Sequence, residues 1–148
     1  SPRPPDGADI LQKRLFDDRY RVFYDPALRE PPRTRADYLD AQHITVVYEP
    51  RRALDLDRHL AAQGVQRRFA VMVPGFAGLP PFIRGSELLA TVPARLQSHL
   101  LRDLASVEPP VPCPPMPMYM VWHARHQVDA AHRWLRGELE AVVGDVVT

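Results

Sequence analysis

His123, His126 and His132 stand in the order His-x2-His-x5-His. Imidazoles at such spacing are a common beginning for a metal site, but a transition metal needs further ligands, and no Cys or closely placed Glu completes the set here. We expect no metal. Asp129 and His132, three residues apart, read as a local cap at a helix start rather than as an acid–base pair. Nucleophiles are no better placed. Ser86 lies in Gly-Ser-Glu without the glycine pattern of a nucleophile elbow, Ser98 falls inside a helical pattern, and Ser106 has no base beside it. Cys113, the single cysteine, sits between Pro112 and Pro114, which rules out an internal disulfide and a metal knuckle. There is no Gly-x-Gly-x-x-Gly and no phosphate-loop lysine pattern. The expectation is a protein that is not an enzyme and carries no cofactor.

Binding chemistry is better represented. In open α/β sheets ligands sit beyond the carboxyl ends of strands, where helix starts offer free N–H groups. The strand-like run Phe69–Val73 is followed by Pro74-Gly75-Phe76-Ala77, and Thr91-Val92-Pro93 ends a second such run. Gly75 permits close backbone approach, Phe76 can stack on an apolar or aromatic ligand, and the Thr91 hydroxyl can donate a hydrogen bond. Two bland alternatives stand beside these: Gly75 as a plain turn residue and Phe76 as core. His123 follows a third strand-like run, so a role at a hinge or cleft competes with that of a capping histidine. Trp122 and Trp134 read as core anchors. The remaining histidines, His43, His59 and His99, are expected in or beside secondary structure without chemistry.

These residues have to be held by an alternating set of elements. Ser1 to Asp9 is polar and proline-rich and is expected to be a disordered tail. Leu11 to Tyr24 suggests two short strands, or one bent around Asp17-Asp18. Thr34 followed by Asp37 has the spacing of a capping box, so a short helix begins there. His43 to Tyr48 reads as a buried strand, Leu54 to Gln63 as an amphipathic helix stopped by Gly64, and Phe76 to Ile83 as a short helix stopped by Gly85. Glu87 to Val92 is another strand, and the spacing of Leu96, Leu100, Leu101 and Leu104 predicts a helix over 94–104. Residues 108–117 contain six prolines and form a connector. Met118 to Trp122 is then a strand, and 128–143 a helix with Val128, Ala131, Trp134, Leu135, Leu139, Val142 and Val143 on one stripe. Strands alternating with helices argue for an α/β fold with parallel pairing.

Composition narrows the classes further. The 148 residues suffice for one domain or two small lobes, and no apolar run is long enough to span a membrane. A cytoplasmic setting fits the lone cysteine and the absence of a leader-like segment. Nineteen basic against eighteen acidic residues give a net charge of +1, too even a balance to grip a phosphate backbone.

One run is specific beyond its chemistry. Phe69-Ala-Val-Met-Val-Pro-Gly-Phe, continuing to Leu89-Ala-Thr-Val-Pro93, resembles the middle of the effector-binding domain of LysR-type bacterial transcription regulators, in the NodD/NahR/DntR-like branch. Trp122-His-Ala-Arg125 and Trp134-Leu-Arg136 resemble that branch's signature at the last helix, and Leu15-Phe-Asp-Asp-Arg-Tyr20 its strand leading into the second lobe. The resemblance implies a periplasmic-binding-protein type II-like fold: Rossmann-like lobes joined by crossing strands, here with the first lobe incomplete. Residues 10–25 and 118–148 would be the remnant of the first lobe, and 26–117 the second, including the connector.

The same resemblance implies a small-molecule effector, aromatic or carboxylate, in a cleft lined by Pro74, Gly75, Phe76, Thr91, Pro93, Trp122 and His123. It also implies a homodimer or tetramer, and DNA contact only through a helix-turn-helix domain that these residues do not include. A membrane partner is not implied. With much of the first lobe missing from the pattern, the last helix is expected to show an uncovered apolar face and to favour association. The alternative of a different class is a solute-binding protein of a transport system sharing the fold, which a leader peptide upstream would support. Gly75 stands where the family often has a polar residue, so ligand specificity does not transfer directly.

Overall fold

The computed structural model describes residues 7–47 and 55–147. In chain order the strands are β1 (Ile10–Asp18), β2 (Tyr20–Tyr24), β3 (Gln42–Val46), β4 (Arg68–Val73), β5 (Ala90–Pro93), β6 (Ala105–Val107) and β7 (Met116–His123). The α-helices are α1 (Arg35–Asp40), α2 (Asp55–Ala61), α3 (Leu79–Ile83) and α4 (Ala130–Val147). They divide into two compact units, Arg19–Pro114 and Ser1–Asp18 with Pro115–Thr148.

In the Arg19–Pro114 unit, β2 lies antiparallel between β5 and β6, and β3 runs parallel to β4. A parallel bridge joins the two sets: Ile44 N donates to Leu89 O at 2.9 Å and Leu89 N to Gln42 O at 3.1 Å. Strand alternation sends side chains to two apolar clusters. Phe23, Ile44, Val46, Val73, Ile83, Ala90 and Val92 form one; Val22, Tyr24, Tyr38, Leu56, Leu60 and Leu89 form the other. Burial on both sides is why β2, β3 and β5 read as nearly continuous apolar runs, whereas β4 alternates between buried and exposed positions.

Local chemistry sets the element ends. Thr34 and Asp37 form the expected capping box at α1, with Asp37 N donating to Thr34 Oγ1 at 3.0 Å. The chain leaves α2 through Gly64, whose φ of +73° suits a residue without Cβ, and Gly85 at +74° does the same after α3. Tyr48 and Leu54, the outer ends of two expected elements, lie outside the described residues.

The helix expected over 94–104 does not form. A short 3-10 turn covers Ala94–Ser98, the chain turns back, and β6 follows. Gln97 is responsible: its Nε2 donates to Leu104 O at 2.9 Å while its Oε1 accepts from Ser106 Oγ at 2.8 Å. Leu101 and Leu104 are buried by this turn as they would be on a helix, so their spacing misled.

In the other unit, residues 7–9 are a turn rather than disordered tail, with Ala124 N donating to Asp9 O at 2.7 Å; residues 1–6 lie outside the description. β1 and β7 form a two-stranded antiparallel ladder from Ile10↔His123 to Asp18↔Met116, irregular between Arg14 and Phe16. The proline-rich stretch therefore gives up Met116 and Pro117 to β7. A two-stranded ladder leaves one edge of each strand unpaired, which is where a residue without N–H is tolerated.

Helix α4 starts at Asp129, whose Oδ1 accepts from Ala131 N at 2.9 Å and His132 N at 3.3 Å. Its tie to β1 is polar, Lys13 Nζ to Glu140 Oε2 at 2.8 Å. The apolar stripe faces away, and Trp134, expected as a core anchor, is 67% exposed.

Candidate functional site

The strand ends of the Arg19–Pro114 unit hold five of the residues singled out for binding. Pro74 is exposed and follows β4 directly. Gly75 is extended, with φ −159° and ψ 163°, a conformation open to any residue, and a Cβ built on it would meet nothing within 4 Å. Its lack of a side chain therefore leaves open space rather than relieving strain. Phe76 begins a 3-10 turn and packs, half-buried, on the cluster of Phe23, Ala90 and Val92. Thr91 points to the opposite face of the same sheet, where it is 6% exposed, and Pro93 ends β5 opposite Tyr20. Phe76 and Thr91 thus belong to different faces, brought to the same end of the sheet by parallel strand direction.

Thr91 leads to a set of buried polar groups. Its Oγ1 lies 2.7 Å from the Tyr38 hydroxyl. Behind Tyr38 stands Arg67, with a side chain only 1% exposed, which donates from Nε and Nη2 to the two carboxylate oxygens of Asp57, each at 2.8 Å. This bidentate fork is the strongest pairing a guanidinium makes. The same group stacks over the Phe69 ring at 4.7 Å, and its Nη1 is buried without a hydrogen-bond partner. Burial opposes the charge on Arg67, and the hydrogen bonds to Asp57 with the neighbouring Tyr38 more than restore it, so its pKa is raised. Burial likewise pushes the Tyr38 phenol up, against the pull of Arg67.

His43 completes the set. Its Nε2 lies 2.7 Å from Tyr38 O, and because a carbonyl only accepts, Nε2 carries the proton and Nδ1 is a buried lone pair without a partner. The ring meets Tyr38 edge-on at 4.6 Å. Burial is the main reason its pKa falls to about 4, so the ring is neutral near pH 7. Cys113 and Tyr20 are partly buried on this face, and burial raises the thiol to about 11 and the phenol to about 12. Neither is poised for chemistry at neutral pH.

Sequence reasoning missed Tyr38, Asp57 and Arg67. A signal existed: positions 67, 69, 71 and 73 alternate toward the interior, which places the first of the paired arginines inward. Its partner, ten residues upstream in α2, had no such mark.

Trp122 and His123 belong to the other unit. Trp122 Nε1 donates to Gln127 Oε1 at 2.7 Å, and the Arg136 guanidinium lies 4.7 Å from its ring centroid. His123 Nδ1 accepts from Arg125 N at 3.1 Å, capping the turn Ala124–His126. His126 and His132 are stacked with centroids 4.2 Å apart. Desolvation, then the charges of His132 and Arg125, hold the pKa of His126 below its usual value. Among the described residues no group of three His, Cys, Asp or Glu is placed to hold a metal ion. No described helix is long and apolar enough to cross a membrane.

Comparison with known proteins gives this geometry a family. Residues 1–144 match the model of the LysR substrate binding domain. The chain is 35% identical over 108 residues to Nodulation protein D 2 of Rhizobium tropici, covering 71% of this chain and 34% of that protein. It is 30% identical over 132 residues to the HTH-type transcriptional activator NahR of Pseudomonas putida, covering 86% and 44%. In structure it resembles the regulatory domain of MexT, a transcriptional activator in Pseudomonas aeruginosa, with a TM-score of 0.75 and 23% identity over 90% of this chain and 68% of that one.

The chain belongs to the LysR substrate-binding domain family. Its mixed α/β architecture matches the periplasmic-binding-protein type II-like fold of that family. It spans less than half the length of the two curated relatives.

Proposed function

We propose that this chain is the effector-sensing part of a LysR-type transcription regulator, and that a small aromatic or carboxylate molecule binds at the carboxyl ends of β4 and β5. The observation that carries the reading is the family match over residues 1–144 together with an open position at Gly75 beside a half-buried Phe76. Pro74, Gly75, Phe76, Thr91 and Pro93 would contact the ligand. The Arg19–Pro114 unit would be the second lobe and the β1–β7 ladder with α4 a part of the first.

A sensor of this kind works by population shift, so the effector must bind one arrangement of the regulator more tightly than another. DNA contact would come from a helix-turn-helix domain outside these residues, in a cytoplasmic dimer or tetramer. The role is regulatory and not enzymatic.

The test is calorimetric titration of the chain with a panel of aromatic acids. Binding that weakens in Phe76→Ala and Thr91→Val supports the site. Affinities unchanged in both variants would show the ligand to be elsewhere.

A further inference from the structure

Between His123 and Arg136 the chain carries three histidines, three arginines and a single carboxylate, that of Asp129. This segment turns β7 into α4, and its hydrogen bonds fix which nitrogens hold protons. Arg125 N donates to His123 Nδ1 and Arg125 Nε donates to His126 Nε2, each at 3.1 Å. A guanidinium never accepts, so Nε2 of His126 presents a lone pair and the proton of the neutral ring sits on Nδ1. The His126 ring lies flat on that of His132, with centroids 4.2 Å apart and planes 6° from parallel. His132 stands in the first turn of α4, where its backbone N–H and that of Ala131 donate to Asp129 Oδ1.

A second proton on His126 has only Nε2 to go to. There it replaces a lone pair by a donor that faces another donor, so the bond from Arg125 is lost. It also sets a cation against the positive end of the α4 dipole. The groups around the ring add to the repulsion. His123 and Arg125 act on it from the turn and His132 from α4, and Arg136 reaches back from α4 to the His126 carbonyl at 3.2 Å. Asp9, ahead of β1, meets the same turn through its carbonyl, which accepts from Ala124 N at 2.7 Å. Asp129 opposes these charges, but its Oδ1 is committed to the helix cap.

We propose that His126, stacked on His132 and bonded to Arg125, is a pH-sensitive latch on the β7–α4 turn, closed while the His126 ring is neutral and released when Nε2 takes a proton. Release frees the first turn of α4 from the segment before it, while Lys13 and Glu140 hold the helix to β1 further along. The direction in pH follows from linkage. Desolvation first, then the charges of His132 and Arg125, make the folded chain hold the His126 proton less tightly than the unfolded chain does. The latch is therefore closed above the ordinary histidine value of 6.5 and opens as pH falls through the lowered one. It lies within the unit of Ser1–Asp18 and Pro115–Thr148 and gives the chain a response to acidification that is separate from any response to a ligand.

Histidine NMR of the 148-residue chain tests the latch. The pH is lowered from about 8 to about 5, the range in which histidine at its ordinary pKa changes charge. At the upper end, nitrogen chemical shifts should place the His126 proton on Nδ1, and the two rings should show a nuclear Overhauser effect. On acidification His126 should titrate with a midpoint below 6.5. With it, the ring–ring effect and the exchange protection of the Ala131 and His132 amides should be lost, while the amides of the β1–β7 ladder keep theirs.

Two variants, checked for folding by circular dichroism, sharpen the test. His126→Phe keeps a stacked ring that cannot take a proton, and should hold the amide protection across the whole range. Arg125→Gln sets beside Nε2 a group that can donate or accept, and should raise the His126 midpoint above that of the parent. A proton on Nε2 at the upper end, a midpoint at or above 6.5, or a ring–ring effect that survives acidification overturns the inference. So does loss of ladder protection over the same range, which would signify general unfolding. Loss of α4 protection that persists in His126→Phe, or a midpoint unmoved in Arg125→Gln, overturns it equally.

Discussion

Helices α2 and α4 both carry an apolar stripe, and the two stripes meet opposite fates. In α2, Leu56 and Leu60 are 2% and 0% exposed; in α4, Trp134, Leu135, Leu139 and Val142 are 67%, 48%, 43% and 58% exposed. The half-buried positions of α4 are instead His132, Arg136, Glu140 and Val143, three of them polar. Arg136 donates to His126 O and Gln127 O, and Glu140 pairs with Lys13. The comparison teaches that amphipathicity names the face a helix seeks to bury but does not provide the layer that buries it. The Arg19–Pro114 unit has strands and two apolar clusters ready to receive its helices. The β1–β7 ladder receives α4 on its polar side and leaves the stripe open.

The comparison can be broken most forcefully at Arg67. Asp57→Ala leaves a buried, uncompensated guanidinium and is expected to destabilise the Arg19–Pro114 unit by about 4 kcal/mol in denaturant unfolding. A loss near zero would mean that the pair is solvated and the unit less tightly closed than described. Next, Leu60→Ala should remove about 3 kcal/mol through lost contacts and a cavity, whereas Leu139→Ala in α4 should change stability by under about 0.5 kcal/mol. Equal effects in the two helices would erase the contrast.

The third test is a pH profile. His43 goes from an ordinary 6.5 in the unfolded chain to about 4 in the fold. Between these values the unfolded state binds more protons, so stability rises with pH across the window and is lost as pH falls through it, by roughly 3 kcal/mol in all. His43→Gln should flatten this part of the profile. An unchanged slope would assign the dependence to other groups.

The smallest effect belongs to the open face of α4. Trp134→Glu should leave stability within about 0.5 kcal/mol of the parent, as substitutions at exposed positions do. It should also suppress the concentration-dependent association that light scattering is expected to show for the parent chain. A parent chain that stays monomeric at all concentrations counts against the uncovered face as an associating surface.

Much of the secondary structure was legible in the residues because its causes are short-range. Thr34 and Asp37 announce α1, Gly64 and Gly85 end α2 and α3, and Asp129 caps α4, each through contacts a few residues apart. The exception at 94–104 is also local, but it turns on a Gln97 side chain that competes for a backbone carbonyl, which apolar spacing cannot register. Strand ends carrying Pro74 to Phe76 were legible too, as positions in an alternating pattern.

The polar cluster behind Thr91 was not. Tyr38 and Thr91 are 53 residues apart, and their hydroxyls meet only because the fold lays α1 against β5. The sequence by itself determined the kinds of elements, their caps and the family to which they belong. Only the tertiary structure decided that Arg67 turns inward to Asp57 while Trp134 faces out, since the choice depends on which layer lies opposite, and that is a property of strand order rather than of neighbouring residues.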